Sequence, residues 1–165
     1  MNFVKRFLHI FLTFLIFFLT GCAAQRYHRP SVGNELPMPA LTGTFRWPLE
    51  GHLVVPFGAK EEGVSSKGIV VEGSEGQFVS AAQEGKVVYI DEGLRGYGKT
   101  LILEHSGNFS TVYARNSEIL VQAGQWVRQG QAIARVGRAG KGGMPRVYFE
   151  IRRSAKPEDP LHYLK

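Results

Sequence analysis

The sequence predicts an all-β domain, a sandwich or partly closed barrel, and three observations carry that expectation. From Phe45 onward, short β-rich runs alternate with glycine-containing turns. Two runs, Val87-Val88-Tyr89-Ile90 and Leu101-Ile102-Leu103, are almost continuously apolar, as strands buried on both faces are. No segment repeats its apolar residues at helical spacing, and 20 glycines among 165 residues disfavour helix interiors.

Taken in order, His52–Phe57 is an aliphatic run between Gly51 and Gly58, and Gly68–Glu72 ends at Gly73. Lys86–Asp91 starts after Gly85, and Lys99–His105 lies between Gly98 and Gly107. Ser110–Ala114 mixes hydroxyl and apolar side chains. Gln131–Val136 is framed by Gly130 and Gly137, and in Arg146–Arg152 charged residues and Tyr148 alternate with apolar Val147, Phe149 and Ile151. Pro157–Leu164 has room for a short closing turn or helix. The length suits one domain, with no second domain and no coiled-coil heptads.

The segment before Phe45 has a different texture. Lys5 and Arg6 precede the apolar run Phe7–Leu19, which is shorter than the ~20 residues a permanent membrane helix needs. A charged start and short apolar core fit an export signal over residues 1–21. The run ends in Leu19-Thr20-Gly21-Cys22, which resembles a bacterial lipobox and implies cleavage before Cys22 and lipid on that residue. Cys22 is the single cysteine, so no intramolecular disulfide and no cysteine-rich zinc site is available. Ala23 follows Cys22, a pattern similar to sorting to the outer membrane of a Gram-negative cell, facing the periplasm. Residues 22–44, with Pro30, Pro37 and Pro39, read as a lipid-anchored flexible linker leading into a domain at 45–165.

Charge is uneven within that domain. Phe45–Ala114 carries 6 Lys/Arg and 9 Asp/Glu, whereas Arg115–Lys156 carries 9 Lys/Arg against Glu118 and Glu150. For an exported lipoprotein such a surface suits an acidic protein or an anionic wall polymer, and nucleic acid is excluded as a partner.

Three stretches resemble the LytM (lysostaphin-type, peptidase M23-like) metallopeptidase domain. They are Ser66-Lys67-Gly68-Ile69-Val70-Val71 with Gly76, Val79 and Ala81-Ala82; Gly96-Tyr97-Gly98 through Glu104-His105 to Thr111-Val112-Tyr113-Ala114; and Val121–Val136 through Pro145–Arg152 to Asp159-Pro160 and Leu164. The resemblance covers the whole globular part and implies the duplicated hybrid-motif β-sandwich, or partly open barrel, of that family.

An active domain of this kind presents a His and an Asp four residues apart, a His after the Tyr-Ala pair, and a His-x-His. Zinc needs three imidazole or carboxylate ligands and an open water position, with further groups to activate the water. Here those positions hold Ser66, Val70, Arg115, Arg146 and Tyr148. The resemblance therefore implies a pseudoenzyme with no catalytic residues, no bound metal and no cofactor. Fixed cations at positions 115 and 146 oppose a bound Zn²⁺. His105 is expected to have a structural role at a strand end.

The replacements make a set. Lys67, Val70, Tyr97, Tyr113, Arg115, Arg146, Tyr148 and Arg152 are expected to line or border the former substrate groove, and Tyr and Arg are the residues interface centres favour. This degeneracy is similar to the EnvC/NlpD class of amidase activators, and most like EnvC around Lys67-Gly68 and Val147–Arg153. That resemblance implies a partner: a periplasmic zinc N-acetylmuramoyl-L-alanine amidase of cell separation, whose inhibitory helix the groove captures. Val70 would give an apolar contact, Tyr113 and Tyr148 aromatic ones, and Lys67, Arg115, Arg146 and Arg152 polar ones. Peptidoglycan is a further possible partner, the membrane is reached through the N-terminal lipid, and the chain is expected to be a monomer. Neither the coiled coil of EnvC-like proteins nor the LysM module of NlpD-like ones is seen in this sequence.

Three other readings compete. The groove could hold peptidoglycan passively. Ser66 could be the nucleophile of an unorthodox hydrolase, although no base and orienting group are visible near it. The glycine-spaced Gly124–Ile133 stretch resembles lipoyl or biotinyl carriers, but Lys141 lacks the required neighbours.

Overall fold

A computed structural model describes residues 44–61, 64–94, 96–138 and 142–165. The expected signal and all but the last residue of the expected linker, with Cys22, lie outside the described residues. The strands are β1 His52–Val55, β2 Lys60–Glu61, β3 Val64–Ser65, β4 Ile69–Glu72, β5 Phe78–Ser80, β6 Gly85–Leu94, β7 Gly98–Glu104, β8 Phe109–Ile119, β9 Trp126–Val127, β10 Ala132–Val136, β11 Arg146–Arg153 and β12 Lys156–Glu158. The chain is thus all-β apart from a 3₁₀ turn at Pro160–His162, capped by the Asp159 carboxylate accepting from the Leu161 N–H.

The seven expected strands all form, with shifted ends that have local causes. β1 stops at Val55, before Pro56, which has no N–H to continue a ladder. β6 runs on to Leu94, past the expected Asp91, through a bulge in its pairing with β7. β8 continues to Ile119 because the chain bends at Arg115, φ 66°, instead of ending there. The strands that were not expected, β2, β3, β5, β9 and β12, are two or three residues long and carry no readable alternation.

The main sheet has the order β1-β4-β11-β8-β7-β6-β9, antiparallel at every joint. β8 belongs to both halves of the fold. Residues up to Ala114 pair with β11 and those up to Asn116 with β7, while Asn116–Ile119 pair with β10, which in turn pairs with β5. The sheet folds back on itself at Arg115, whose N–H donates to the Tyr97 carbonyl (2.7 Å) and whose carbonyl accepts from Gly137 (3.0 Å). Gly137 is required at this crossing. A Cβ there would lie 2.6 Å from the Arg115 carbonyl oxygen.

Strict alternation sorts the side chains. Ile69 and Val71, Leu101 and Leu103, Tyr113, and Val147, Phe149 and Ile151 point into one core, closed from the other side by Val79, Ile133, Ala134 and Val136. Each such aliphatic side chain contributes about 1.5–3 kcal/mol when fully buried. Phe45 joins this core, bridges to Leu164, and packs its ring against His105, Phe109 and Tyr163. The opposite face of the main sheet carries the candidate site.

Candidate functional site

Four strands place the site. Register sets Val55 of β1 beside Val70 of β4, Val70 beside Tyr148 of β11, and Tyr148 beside Ala114 of β8. These residues make a second, smaller apolar cluster on the outer face, with Ala59 packed against it. Val70, Ala114 and Tyr148 are all buried. The positions from which a family hydrolase would offer an aspartate and a histidine instead form this apolar floor.

Tyr148 organises the floor. Its ring meets Tyr97 edge-on, centroids 5.4 Å apart at 79°, and its hydroxyl donates to Glu150 Oε2 (2.9 Å). Burial, then the facing Glu150 carboxylate, pushes the Tyr148 hydroxyl well above the usual phenol range. Gly68 lets the ring lie close, because a Cβ there would come within 3.0 Å of Tyr148 Cζ and hydroxyl and 2.3 Å of the Phe149 carbonyl oxygen. Tyr97 is partly exposed, and Lys67, next to Gly68 in the chain, is exposed.

The arginines differ from one another. Arg146 is ion-paired: its Nε and one terminal nitrogen each lie 2.9 Å from Glu72 Oε2 on the neighbouring strand. Arg152 donates from Nε to Glu150 Oε1 (2.6 Å). That bond raises the Arg152 pKa further, against a smaller opposing effect of burial. Arg115 sits at the bend in a left-handed conformation, half-buried, with its backbone held on both sides. Ser66 is engaged locally, its Oγ donating to the Gly68 carbonyl (2.9 Å) and its N–H to Ala59 (2.8 Å).

One expected groove residue belongs elsewhere. Tyr113 pairs with Phe149 and shares its side of the sheet, so it points into the main core and is completely buried. Its hydroxyl accepts from the Ala82 N–H (2.8 Å) and lies 3.0 Å from Thr111 Oγ1, and burial pushes its pKa up to about 12. Beside it, His105 is buried between the Glu84 carbonyl (Nδ1, 2.7 Å) and Thr111 (Nε2, 2.7 Å), and burial lowers its pKa to about 4. A carbonyl only accepts, so Nδ1 carries the proton and Nε2 accepts from the Thr111 hydroxyl.

Sequence reasoning missed Glu150 and Glu72. Glu150 shares the parity of Arg146, Tyr148 and Arg152, and that parity was the available signal. Glu72 needed the β4–β11 register, which the sequence does not display.

Zinc does not fit the five family positions. They offer a hydroxyl bonded to the backbone, a valine, two guanidiniums and a buried phenol, with no imidazole or carboxylate among them. Among the described residues, no three His, Cys, Asp or Glu converge elsewhere.

Comparison with known proteins identifies the fold and the family. The pattern of Peptidase family M23 matches residues 64–160. The murein hydrolase activator NlpD of Escherichia coli is 44% identical over 121 residues, covering 73% of this chain and 31% of the relative. The lipoprotein NlpD/LppB homolog of Pseudomonas aeruginosa is 44% identical over 126 residues, covering 76% and 41%. A zinc-containing peptidase from Vibrio cholerae superposes with a TM-score of 0.64 at 26% identity, covering 73% of this chain and 40% of that one. The chain spans about a third of the length of the curated relatives it matches.

Proposed function

From the premise that the chain belongs to peptidase family M23, we propose that it is a non-catalytic lipoprotein that activates a periplasmic N-acetylmuramoyl-L-alanine amidase in peptidoglycan hydrolysis at cell separation. The names of its relatives, murein hydrolase activator and lipoprotein, support this reading. The observation that carries it is the apolar floor of Val55, Val70, Ala114 and Tyr148 where a hydrolase would hold zinc, with Tyr97, Lys67 and Arg152 at its margin. An amphipathic inhibitory helix is a fitting occupant: its apolar side meets Tyr97 and Tyr148, and its acidic groups meet the cations. Drawing that helix off takes ~5 kcal/mol of differential binding to move an amidase from mostly closed to mostly open. Lipid on Cys22 would hold the monomer to the outer membrane, facing the periplasm.

The test is dye release from labelled murein by such an amidase, with and without the chain from Cys22 onward. Release from the mixture alone is expected. Release by the chain alone would refute the pseudoenzyme reading, and no added release in the mixture would favour passive wall binding. Tyr97→Ala and Lys67→Glu are the informative variants, because both side chains are exposed. Each is expected to need about tenfold more protein for half-maximal release, with melting changed little. Arg152→Glu is a poorer probe, since it would set a second carboxylate against the buried Glu150.

A further inference from the structure

We infer that Glu150 is a positioning residue: it holds Arg152 so that the two terminal amino groups of the guanidinium meet a carboxylate of the bound partner end-on. The inference rests on the activator reading and assigns the chemistry of its polar contact.

Glu150 is 1% exposed, in the middle of the outer face, beside Val112 of β8. A carboxylate in such a place is retained only if its oxygens are paired. Both are: Oε2 accepts from the Tyr148 hydroxyl at 2.9 Å, and Oε1 from Arg152 Nε at 2.6 Å. The donors come from two residues before and two residues after on the same strand, so all three side chains share one face. One buried group therefore fixes the tyrosine that forms the floor and the arginine at its margin.

The choice of nitrogen matters. A guanidinium binds a carboxylate side-on, through Nε and one terminal nitrogen, or end-on, through both terminal nitrogens. Glu150 occupies Nε, which closes the side-on mode. The Arg152 side chain is 36% exposed, so its outer part remains open to a ligand while its stem is pinned. A pinned arginine loses less freedom on binding than a mobile one. Lysine has no equivalent, because its single nitrogen cannot bond Glu150 and present a fork as well.

The experiment uses the chain from Cys22 with the amidase and dye-labelled murein, and compares Glu150→Leu, Glu150→Gln, Arg152→Ala and the Glu150→Leu/Arg152→Ala double variant. Glu150→Leu is expected to need about tenfold more protein for half-maximal release. Glu150→Gln keeps an acceptor for Arg152 Nε and a partner for the Tyr148 hydroxyl, and stays within about threefold of wild type. In the Arg152→Ala background, Glu150→Leu adds no further loss, as expected for residues acting as a unit. Wild-type activation by Glu150→Leu, or a loss that adds in full to that of Arg152→Ala, overturns the inference. If Glu150→Leu does not fold, Arg152→Lys decides: a loss of about tenfold supports the end-on fork, and wild-type activation overturns it. Exchange of the Arg152 Nε–H, followed by ¹⁵N NMR, separates this inference from the activator reading. If wild type gives no release, the activator reading fails. Slow exchange in wild type that becomes fast in Glu150→Leu then still shows Glu150 holding Arg152, whereas equal exchange overturns that too.

Discussion

Tyr113 and Tyr148 lie on neighbouring strands, one register step apart, and face opposite sides of the sheet. Both are buried, and both keep their hydroxyls bonded. Tyr113 is surrounded by the main core and bonds to the Ala82 backbone and Thr111. Tyr148 sits on a cluster of three small apolar neighbours, bonds to a charged side chain, and is covered by the partly exposed Tyr97. The same residue type thus does two kinds of work. On one face it holds the sheets together, and on the other it finishes a surface. What decides is strand parity, which residue type does not reveal.

The largest expected effect tests this difference directly. Tyr113→Ala should lower unfolding free energy by about 3–5 kcal/mol, because it leaves a cavity between the layers. It also strips partners from the Ala82 N–H and Thr111. Tyr148→Phe keeps the ring in place and leaves Glu150 short of one donor, for a loss of about 1–3 kcal/mol. Urea unfolding of both variants gives the two values. Equal losses would mean that the outer face is as much a core as the inner one.

The same contrast explains what the sequence could and could not disclose. Arg146, Tyr148 and Arg152 are separated by even steps, with apolar Val147, Phe149 and Ile151 between them, so their common face was readable. Ser110–Ala114 gave no such guide. Thr111 and Tyr113 alternate with Val112 and Ala114, every one of them is buried, and either parity looks like a core. The resemblance puts Tyr113 in the groove, and the pattern of this run offers nothing against it. Val70 lies beside Tyr148 through the β4–β11 register, which joins strands far apart in the chain and leaves no mark in the residues of either. The ion pair of Arg146 with Glu72 was hidden for the same reason. The glycine-bounded strands, by contrast, were legible because each carries its own turn signal.

A second test concerns acid, and the expected effect is somewhat smaller. Folding lowers the His105 pKa from 6.5 to about 4, chiefly because burial disfavours the imidazolium. As pH falls below 6.5, the unfolded chain takes up a proton that the folded chain refuses until about pH 4. Stability from this residue is complete above 6.5, declines between 6.5 and about 4, and is level below that. The full span is on the order of 3 kcal/mol. His105 belongs to the chain of hydrogen bonds that includes Thr111 and Tyr113, so the acid effect should act on the core side of the sheet. Proton NMR of the His105 ring checks the premise: its carbon-bound protons should not shift until pH approaches 4. Titration near 6.5 would place His105 in water and break the comparison from the core side.

The smallest expected effect sharpens the comparison at the end of β11. Ser154 and Ala155 form the two-residue turn into β12, between the paired Arg153 and Lys156, and both have positive φ, 48° and 64°. Two successive positive φ values suit Asn-Gly, since each L side chain there carries a steric penalty. Replacing the pair, Ser154→Asn with Ala155→Gly, should therefore raise stability by about 0.5–1 kcal/mol. The turn lies two residues beyond Arg152, close enough to alter that side chain if the turn were what aims it. If Glu150 aims it, the relaxed turn will raise the melting temperature and leave the protein concentration for half-maximal dye release unchanged. A gain in stability accompanied by a shift in that concentration would move the positioning of Arg152 from the buried carboxylate to the hairpin, and the groove face would then depend on its rim rather than its floor.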